Sequence, residues 1–310
     1  MRPLATIAAG LFLAACQAPA PSASPSPPLV TPAVDAVIAA FADHQVVAIG
    51  EQHGSAAQHE FLRSVIRDPR LIGVIDDVAV EFGSARYQDT IDRYMRGEAI
   101  SPAELELVWT DTTQRSGVWD DPIYRQFFEA VREQNIQRAQ EDRIRVLLGD
   151  PPIMWDQITA ETDCDDSEPT CLDFWIMGRS DHFASVVQNE SIARGRRALV
   201  IAGSGHIRRN PDAEFPISLT DQLDALEPGA VWTLVPLPRS NPHVIGALVD
   251  VGGGDSTGPV VIELEGTQLG AVVAEGVFER GTVTCDPAPC ESEAASTATL
   301  QSVTDAVLLL

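Results

Sequence analysis

The chain has 310 residues, 45% of them hydrophobic, enough for one large domain with a sizeable core and too apolar for a disordered protein. Its 45 acidic against 21 basic side chains give a formal charge of −24, which argues against a nucleic-acid partner, because binding phosphates needs a basic footprint. Such acidity reads first as solubility, with cation binding as the narrower alternative.

At the amino end, "MRPLATIAAGLFLAAC" has a basic start, an apolar run too short to span a bilayer, and small residues before a cysteine. That is the pattern of a signal peptide over residues 1–15. The final "LAAC" resembles the bacterial lipobox and makes Cys16 the expected lipidation site; the alternative is an ordinary signal peptide with an incidental cysteine. Residues 16–32 carry the Pro/Ser/Ala-rich stretch "QAPAPSASPSPP", which cannot build a core and reads as a tether. The folded domain is expected over 33–310. The partner is then the membrane, through the lipid anchor, and the location the bacterial cell envelope, on its periplasmic face.

Removing Cys16 leaves Cys164, Cys171, Cys285 and Cys290, two close-spaced couples suited to local disulfides outside a reducing compartment. A four-thiolate zinc site is the alternative, although neither spacing is the usual C-x2-C.

Along the chain, apolar β-branched runs predict strands at "QVVAIG", "DVAVEF", "RIRVLLG", "RRALVIAG" and "AVWTLVPL". The longer amphipathic stretches between them predict helices. "SAAQHEFLRSVI" opens with a Ser55 to Gln58 capping box, "DDPIYRQFFEAVREQNIQRAQ" with an Asp-Pro start, and "RSDHFASVVQNESIARG" ends at Gly195. The alternation predicts an α/β fold: an open, mostly parallel sheet with helices on both faces and a helical insertion after the second of these strands.

Ionisable residues follow the strands. Glu51 and His53 come after "VVAIG", Glu81 ends "VAVE", Asp150 follows "VLLG", and His206 follows "VIAGSG". In an open parallel sheet the carboxyl ends share one edge, where ligands bind. Each residue also has a bland reading as a cap, a satisfied strand-end carboxylate or a turn residue. "GEQH" and "GSGH" share the form Gly-x-x-His, and two such turns can aim two imidazoles at one ion or one water. Arg179 and His182, in "GRSDHF" at the head of a helix, are candidates to orient an anionic substrate or a neighbouring carboxylate. His59 reads as packing or capping. No Gly-x-Ser-x-Gly elbow occurs, so the usual serine-hydrolase signature is missing.

In order, "VVAIGEQHGSAAQHEF", "VAVEFGSARYQDTIDRYMRGE", "ELVWTDTTQRSGVWDDPIY", "GRSDHFASVV" and "RALVIAGSGHIRR" resemble the ChaN-type haem-uptake lipoproteins. Those lipoproteins share a superfamily with the Tiki metalloproteases and the erythromycin esterases. The likeness runs from about Gln45 to Arg209. In the esterase-like branch it implies a general-base histidine with a supporting glutamate, similar to His53 and Glu51, although the turn here is one residue shorter. In the Tiki-like branch it implies a divalent metal at His53, His206 and Glu81; with Glu51 these make up the candidate catalytic and metal-binding set. In the ChaN-like branch it implies haem held by a surface tyrosine, for which the chain offers Tyr87, Tyr94 and Tyr124.

Two functions follow as expectations. One is an envelope hydrolase of an ester or amide in a small-molecule or peptide substrate, dependent on a divalent metal or on histidine, with Arg179, His182 and Asp150 as substrate-binding residues. The other is a haem- or iron-binding uptake lipoprotein without catalytic activity.

Overall fold

Short strands that are apolar on both faces must be covered on both faces, and the computed structural model of the chain shows this arrangement. It describes residues 27–114, 117–161, 164–250, 258–275, 277–278 and 296–310. The signal peptide, Cys16 and the Cys285/Cys290 couple lie outside the described residues. Eight strands form one sheet: β1 (Val30–Pro32), β2 (Val46–Glu51), β3 (Asp77–Ser84), β4 (Arg145–Asp150), β5 (Ala198–Gly203), β6 (Val231–Pro236), β7 (Val260–Glu263) and β8 (Ala306–Leu309). Their order is β1-β7-β8-β6-β2-β5-β3-β4. Only β7 runs against its neighbours, pairing antiparallel with β1 and β8; the other pairs are parallel.

The five predicted strands are β2 to β6. β7 lies outside the predicted set, and β1 takes up Val30–Pro32, the last residues of the expected tether. Register explains the two faces. Val47, Ile49, Val78, Val80, Leu199 and Ile201 enter one core, under helices that include Ala56–Arg67 and Pro122–Ile136. Val46, Ala48, Ala79, Ala198, Val200 and Ala202 enter the other, under Arg179–Glu190 and Leu219–Leu226. Each fully buried Val, Ile or Leu contributes about 1.5–3 kcal/mol. The insertion after β3 comprises helices Gln88–Met95, Pro102–Thr110 and Pro122–Ile136.

Two helix ends differ from the sequence expectation. Ser55 accepts from the Gln58 amide, but the Gln58 side chain turns away from a reciprocal box. It accepts from the Gln52 amide at 2.8 Å and donates to the Gly50 carbonyl at 2.6 Å, so it ties down the turn that follows β2. The helix from Arg179 stops at Glu190, and a 3-10 turn, Ile192–Arg194, leads to Gly195 at φ 66°. Cys164 and Cys171 form the expected disulfide, with Cα atoms 5.7 Å apart.

Candidate functional site

The carboxyl ends of β2, β3, β4 and β5 gather the predicted residues in one region. Glu51, the last residue of β2, is buried and accepts three donors. His53 Nδ1 lies 3.0 Å from one carboxylate oxygen, while His59 Nε2 at 2.8 Å and the Tyr124 hydroxyl at 3.0 Å share the other. Tyr124 in turn accepts from the Gly54 amide at 2.9 Å, which closes the loop around the turn. Burial works to raise Glu51, but hydrogen bonds from His53 and His59 outweigh it and hold the carboxyl below its ordinary range. An ionised carboxylate only accepts, so Nδ1 of His53 carries a hydrogen and Nε2 keeps a free lone pair. Burial works to lower His53, yet Glu51 raises it above its ordinary value on balance. The ring is 37% exposed and stands edge-on to buried Trp119, 4.5 Å between centroids.

Glu81, on β3, forms a second couple. His206 Nε2 lies 3.2 Å from Glu81 Oε1, and the Gly203 amide donates to Oε2 at 2.6 Å. Burial works to raise this carboxyl, but the hydrogen bond from His206, its charge and the Gly203 amide bring it down to about 2. The other ring nitrogen of His206, Nδ1, lies 2.8 Å from the Ser180 hydroxyl.

Gly203 stands between the two couples because β5 lies between β2 and β3. A Cβ there would sit 3.0 and 3.1 Å from Cε1 and Nε2 of His53 and 3.2 Å from Oε2 of Glu81. The absent side chain lets the free nitrogen of one couple approach the carboxylate of the other.

Asp150, at the end of β4, is buried and accepts from both the amide (2.8 Å) and the hydroxyl of Thr113. Arg179 Nε is 3.7 Å from its carboxylate and donates to Thr113 Oγ1 at 2.7 Å, while Nη2 donates to Gln114 at 3.0 Å. Burial pushes Asp150 up to about 7, against the pull of Thr113 and Arg179. The helix carrying Arg179 is seated by Phe183, whose ring atoms lie 2.4–2.6 Å from where a Gly149 Cβ would be. Only glycine admits that ring.

Residues 37–140 match the family model described as haem-binding uptake, Tiki superfamily, ChaN. Over this stretch, about a third of its length, the chain is similar to that family. The matched segment supplies Glu51, His53 and Glu81, together with the aromatic wall of Trp119, Tyr124 and Phe127; Asp150, Arg179 and His206 follow it. Three solved structures share the fold. A Bacillus cereus protein is 12% identical with TM-score 0.54, covering 92% of this chain and 94% of its own. A succinoglycan biosynthesis protein is 8% identical with TM-score 0.54, covering 89% and 90%. A mutant erythromycin esterase in its open conformation is 10% identical with TM-score 0.54, covering 89% and 92%. No curated protein matches the chain.

Among the described residues, no group of three or more His, Cys, Asp or Glu is arranged to hold a metal ion. The chemistry of the donors explains this. Of the four ring nitrogens on His53 and His206, three are engaged by Glu51, Glu81 and Ser180, and only Nε2 of His53 is left over. The expected divalent ion therefore does not fit Glu51, His53, Glu81 and His206 as they stand. The tyrosines fit an exposed haem ligand no better. Tyr124 is fully buried on Glu51, the Tyr87 hydroxyl is bonded to Asp111, and the Tyr94 ring lies 4.3 Å under the Arg132 guanidinium. His182 stands apart: its Nε2 is buried without a hydrogen-bond partner, and burial lowers its pKa. A cleft of about 850 Å³ opens at the opposite, amino edge of the sheet, beside His44, Trp232 and Asp305, and shares no residue with the His–Glu couples.

Local sequence signals missed three contributors. His59, read as packing, is a fully buried donor to Glu51. Trp119 and Tyr124 arrive from the insertion; Tyr124, offered by the sequence only as a haem ligand, bonds Glu51 from the first turn of the helix Pro122–Ile136, and the aromatic character of Trp119 just before that helix is its one signal.

Proposed function

We propose that the protein is a histidine-dependent hydrolase of an ester or amide bond in a small-molecule or peptide substrate. One observation carries this reading: two imidazoles, each backed by a buried glutamate, follow the adjacent strands β2 and β5, and the His53 ring of one couple meets the Glu81 carboxylate of the other over Gly203. A neutral imidazole held by an ionised carboxylate is a general base near neutral pH, and positioned proton transfer of this kind gives about 10²–10⁴-fold. Glu51 fixes the tautomer and orientation of His53, leaving Nε2 to take a proton from an attacking group. Glu81 does the same for His206 through Nε2. Arg179, next to both Glu81 and Asp150, supplies the positive charge that holds an anionic substrate group. The fold shared with the erythromycin esterase supports this reading.

The test is turnover of a panel of chromogenic acyl esters and anilides by the purified protein. His53→Ala and His206→Ala should each lose about 10²–10⁴-fold. Activity that survives both substitutions rejects the reading.

A second reading, a haem- or iron-carrying uptake protein without catalysis, draws on the description of the matched family model. In it the part-exposed His53, beside Trp119, replaces the tyrosine ligand. Titration with hemin, followed in the Soret region for wild type and His53→Ala, separates the readings. We further propose that Cys16 is lipidated and tethers the domain to a membrane of the bacterial cell envelope, on the periplasmic side. No helix among the described residues is long and apolar enough to cross a membrane. Cys16→Ser should release the protein from the membrane fraction, and unchanged association rejects the anchor.

A further inference from the structure

We propose that Ser180 is the nucleophile of this site and that acyl transfer proceeds through an ester on its Oγ. The inference rests on the hydrolase reading above and goes beyond it, because that reading asks only for a base and a water. Its ground is a continuous chain of hydrogen bonds, Ser180 Oγ to His206 Nδ1 at 2.8 Å and His206 Nε2 to Glu81 Oε1 at 3.2 Å. Donor and acceptor roles are fixed from the buried end. Glu81 is ionised and can only accept, so Nε2 carries the hydrogen, Nδ1 presents a lone pair, and the serine hydroxyl must be the donor. A hydroxyl, an imidazole and a carboxylate joined in this order form the arrangement that activates a serine, with no Gly-x-Ser-x-Gly elbow needed.

Three further observations favour a working nucleophile over a structural hydroxyl. Ser180 is the second residue of the helix Arg179–Glu190, where a serine commonly bonds its own backbone; here it bonds across to another element, 26 residues away. It is half-buried, and the His206 side chain is 27% exposed, so an acyl group can reach them. It also sits at the positive end of a twelve-residue helix. The first amide of that helix to find a backbone carbonyl is His182, on Gly178, so the amides of Arg179, Ser180 and Asp181 have no partner within the helix. A negative charge developing beside Oγ is stabilised there.

The steps balance. Ser180 Oγ attacks the acyl carbon, its proton passes to His206 Nδ1, and the resulting imidazolium is held by Glu81. The tetrahedral oxyanion collapses, the bond to the leaving alcohol or amine breaks, and that group takes the proton from Nδ1. Water then attacks the Ser180 ester, giving its proton to Nδ1; the acid departs and the serine recovers its hydrogen.

The experiment uses the purified protein with an alkyl fluorophosphonate, which loses fluoride when a serine oxygen attacks phosphorus, and with p-nitrophenyl acetate. Intact mass and peptide mapping should find one phosphonyl group on Ser180 in wild type and none in Ser180→Ala. His206→Ala should label at least about 100-fold more slowly. p-Nitrophenolate should appear as a burst of one equivalent, and Ser180→Cys should accumulate an acetyl thioester at the same position. Wild-type protein that hydrolyses the ester without a phosphonyl adduct, with Ser180→Ala retaining full turnover, overturns the nucleophile and leaves the hydrolase reading intact. Wild-type protein showing neither turnover nor adduct overturns both. An adduct on a different serine also overturns the proposal.

Discussion

Replacing Asp150 with Asn isolates the cost of burying a carboxyl beside the candidate site. Burial pushes this carboxyl up to about 7, against an ordinary value of 3.8. The folded protein therefore holds a proton that the unfolded chain has already released, and stability falls as pH rises through the window between 3.8 and 7. Below the window the group contributes no penalty. Above it the rise from 3.8 to about 7 amounts to about 4 kcal/mol. Asn does not ionise, and its carbonyl still accepts the Thr113 amide that now reaches Asp150 at 2.8 Å. Arg179 loses a carboxylate 3.7 Å away in exchange. Urea unfolding of wild type and Asp150→Asn at pH 5 and pH 8 measures the balance, because every other titrating group cancels in the difference between the two proteins. The stability of the variant relative to wild type should rise by about 2–3 kcal/mol from pH 5 to pH 8. A difference that stays flat, or moves the other way, means that Asp150 is ionised in the folded protein and refutes the argument.

Gly203→Ala places a Cβ 3.0–3.2 Å from the His53 ring and Glu81 Oε2, so ester turnover should fall by about 100-fold while urea unfolding loses only about 1–3 kcal/mol; unimpaired turnover would show that the two couples need not approach each other. Tyr124→Phe strips one of three donors from Glu51 and takes the hydroxyl acceptor away from the Gly54 amide, an expected loss of about 1–3 kcal/mol in urea midpoint measurements. A change below about 0.5 kcal/mol would mean that the loop finds its bonds elsewhere. Because Glu81 is brought down to about 2, its contribution is full above its ordinary 4.5 and lost as pH falls from there toward 2. The stability advantage of wild type over Glu81→Gln should therefore shrink across that interval, and one that holds constant to pH 3 refutes the His206–Glu81 pairing.

The strands were legible because each central one is buried on both faces and reads as an unbroken apolar run. For the same reason their polar ends stood out: Glu51, Glu81, Asp150 and His206 all break the apolar pattern at one edge. β7 was harder to see. It has only four residues, and it takes its place by pairing antiparallel with β1 and β8, a long-range choice with no local trace. Gln58 shows the same limit at shorter range. Its spacing from Ser55 suits a capping box, yet the Gln52 amide and the Gly50 carbonyl compete for its side chain and win.

What the sequence could not reveal was how the four polar residues sort into couples. Two Gly-x-x-His turns suggest two imidazoles facing one ion. Strand order decides otherwise: β5 lies between β2 and β3, so His206 turns toward Glu81 while His53 folds back onto Glu51, two residues before it. Each buried carboxylate is thereby matched by imidazole hydrogens, which removes the penalty of several kcal/mol for an unpaired charge without any cation. That matching leaves His53 Nε2 and His206 Nδ1 as the nitrogens open to proton transfer. The second already faces a hydroxyl, whereas the first faces the space over Gly203. An arrangement that satisfies its own charges and still leaves one ring nitrogen on each imidazole for proton transfer is organised for moving protons, and Ser180, seated on one of them, is where that organisation is most directly put to the test.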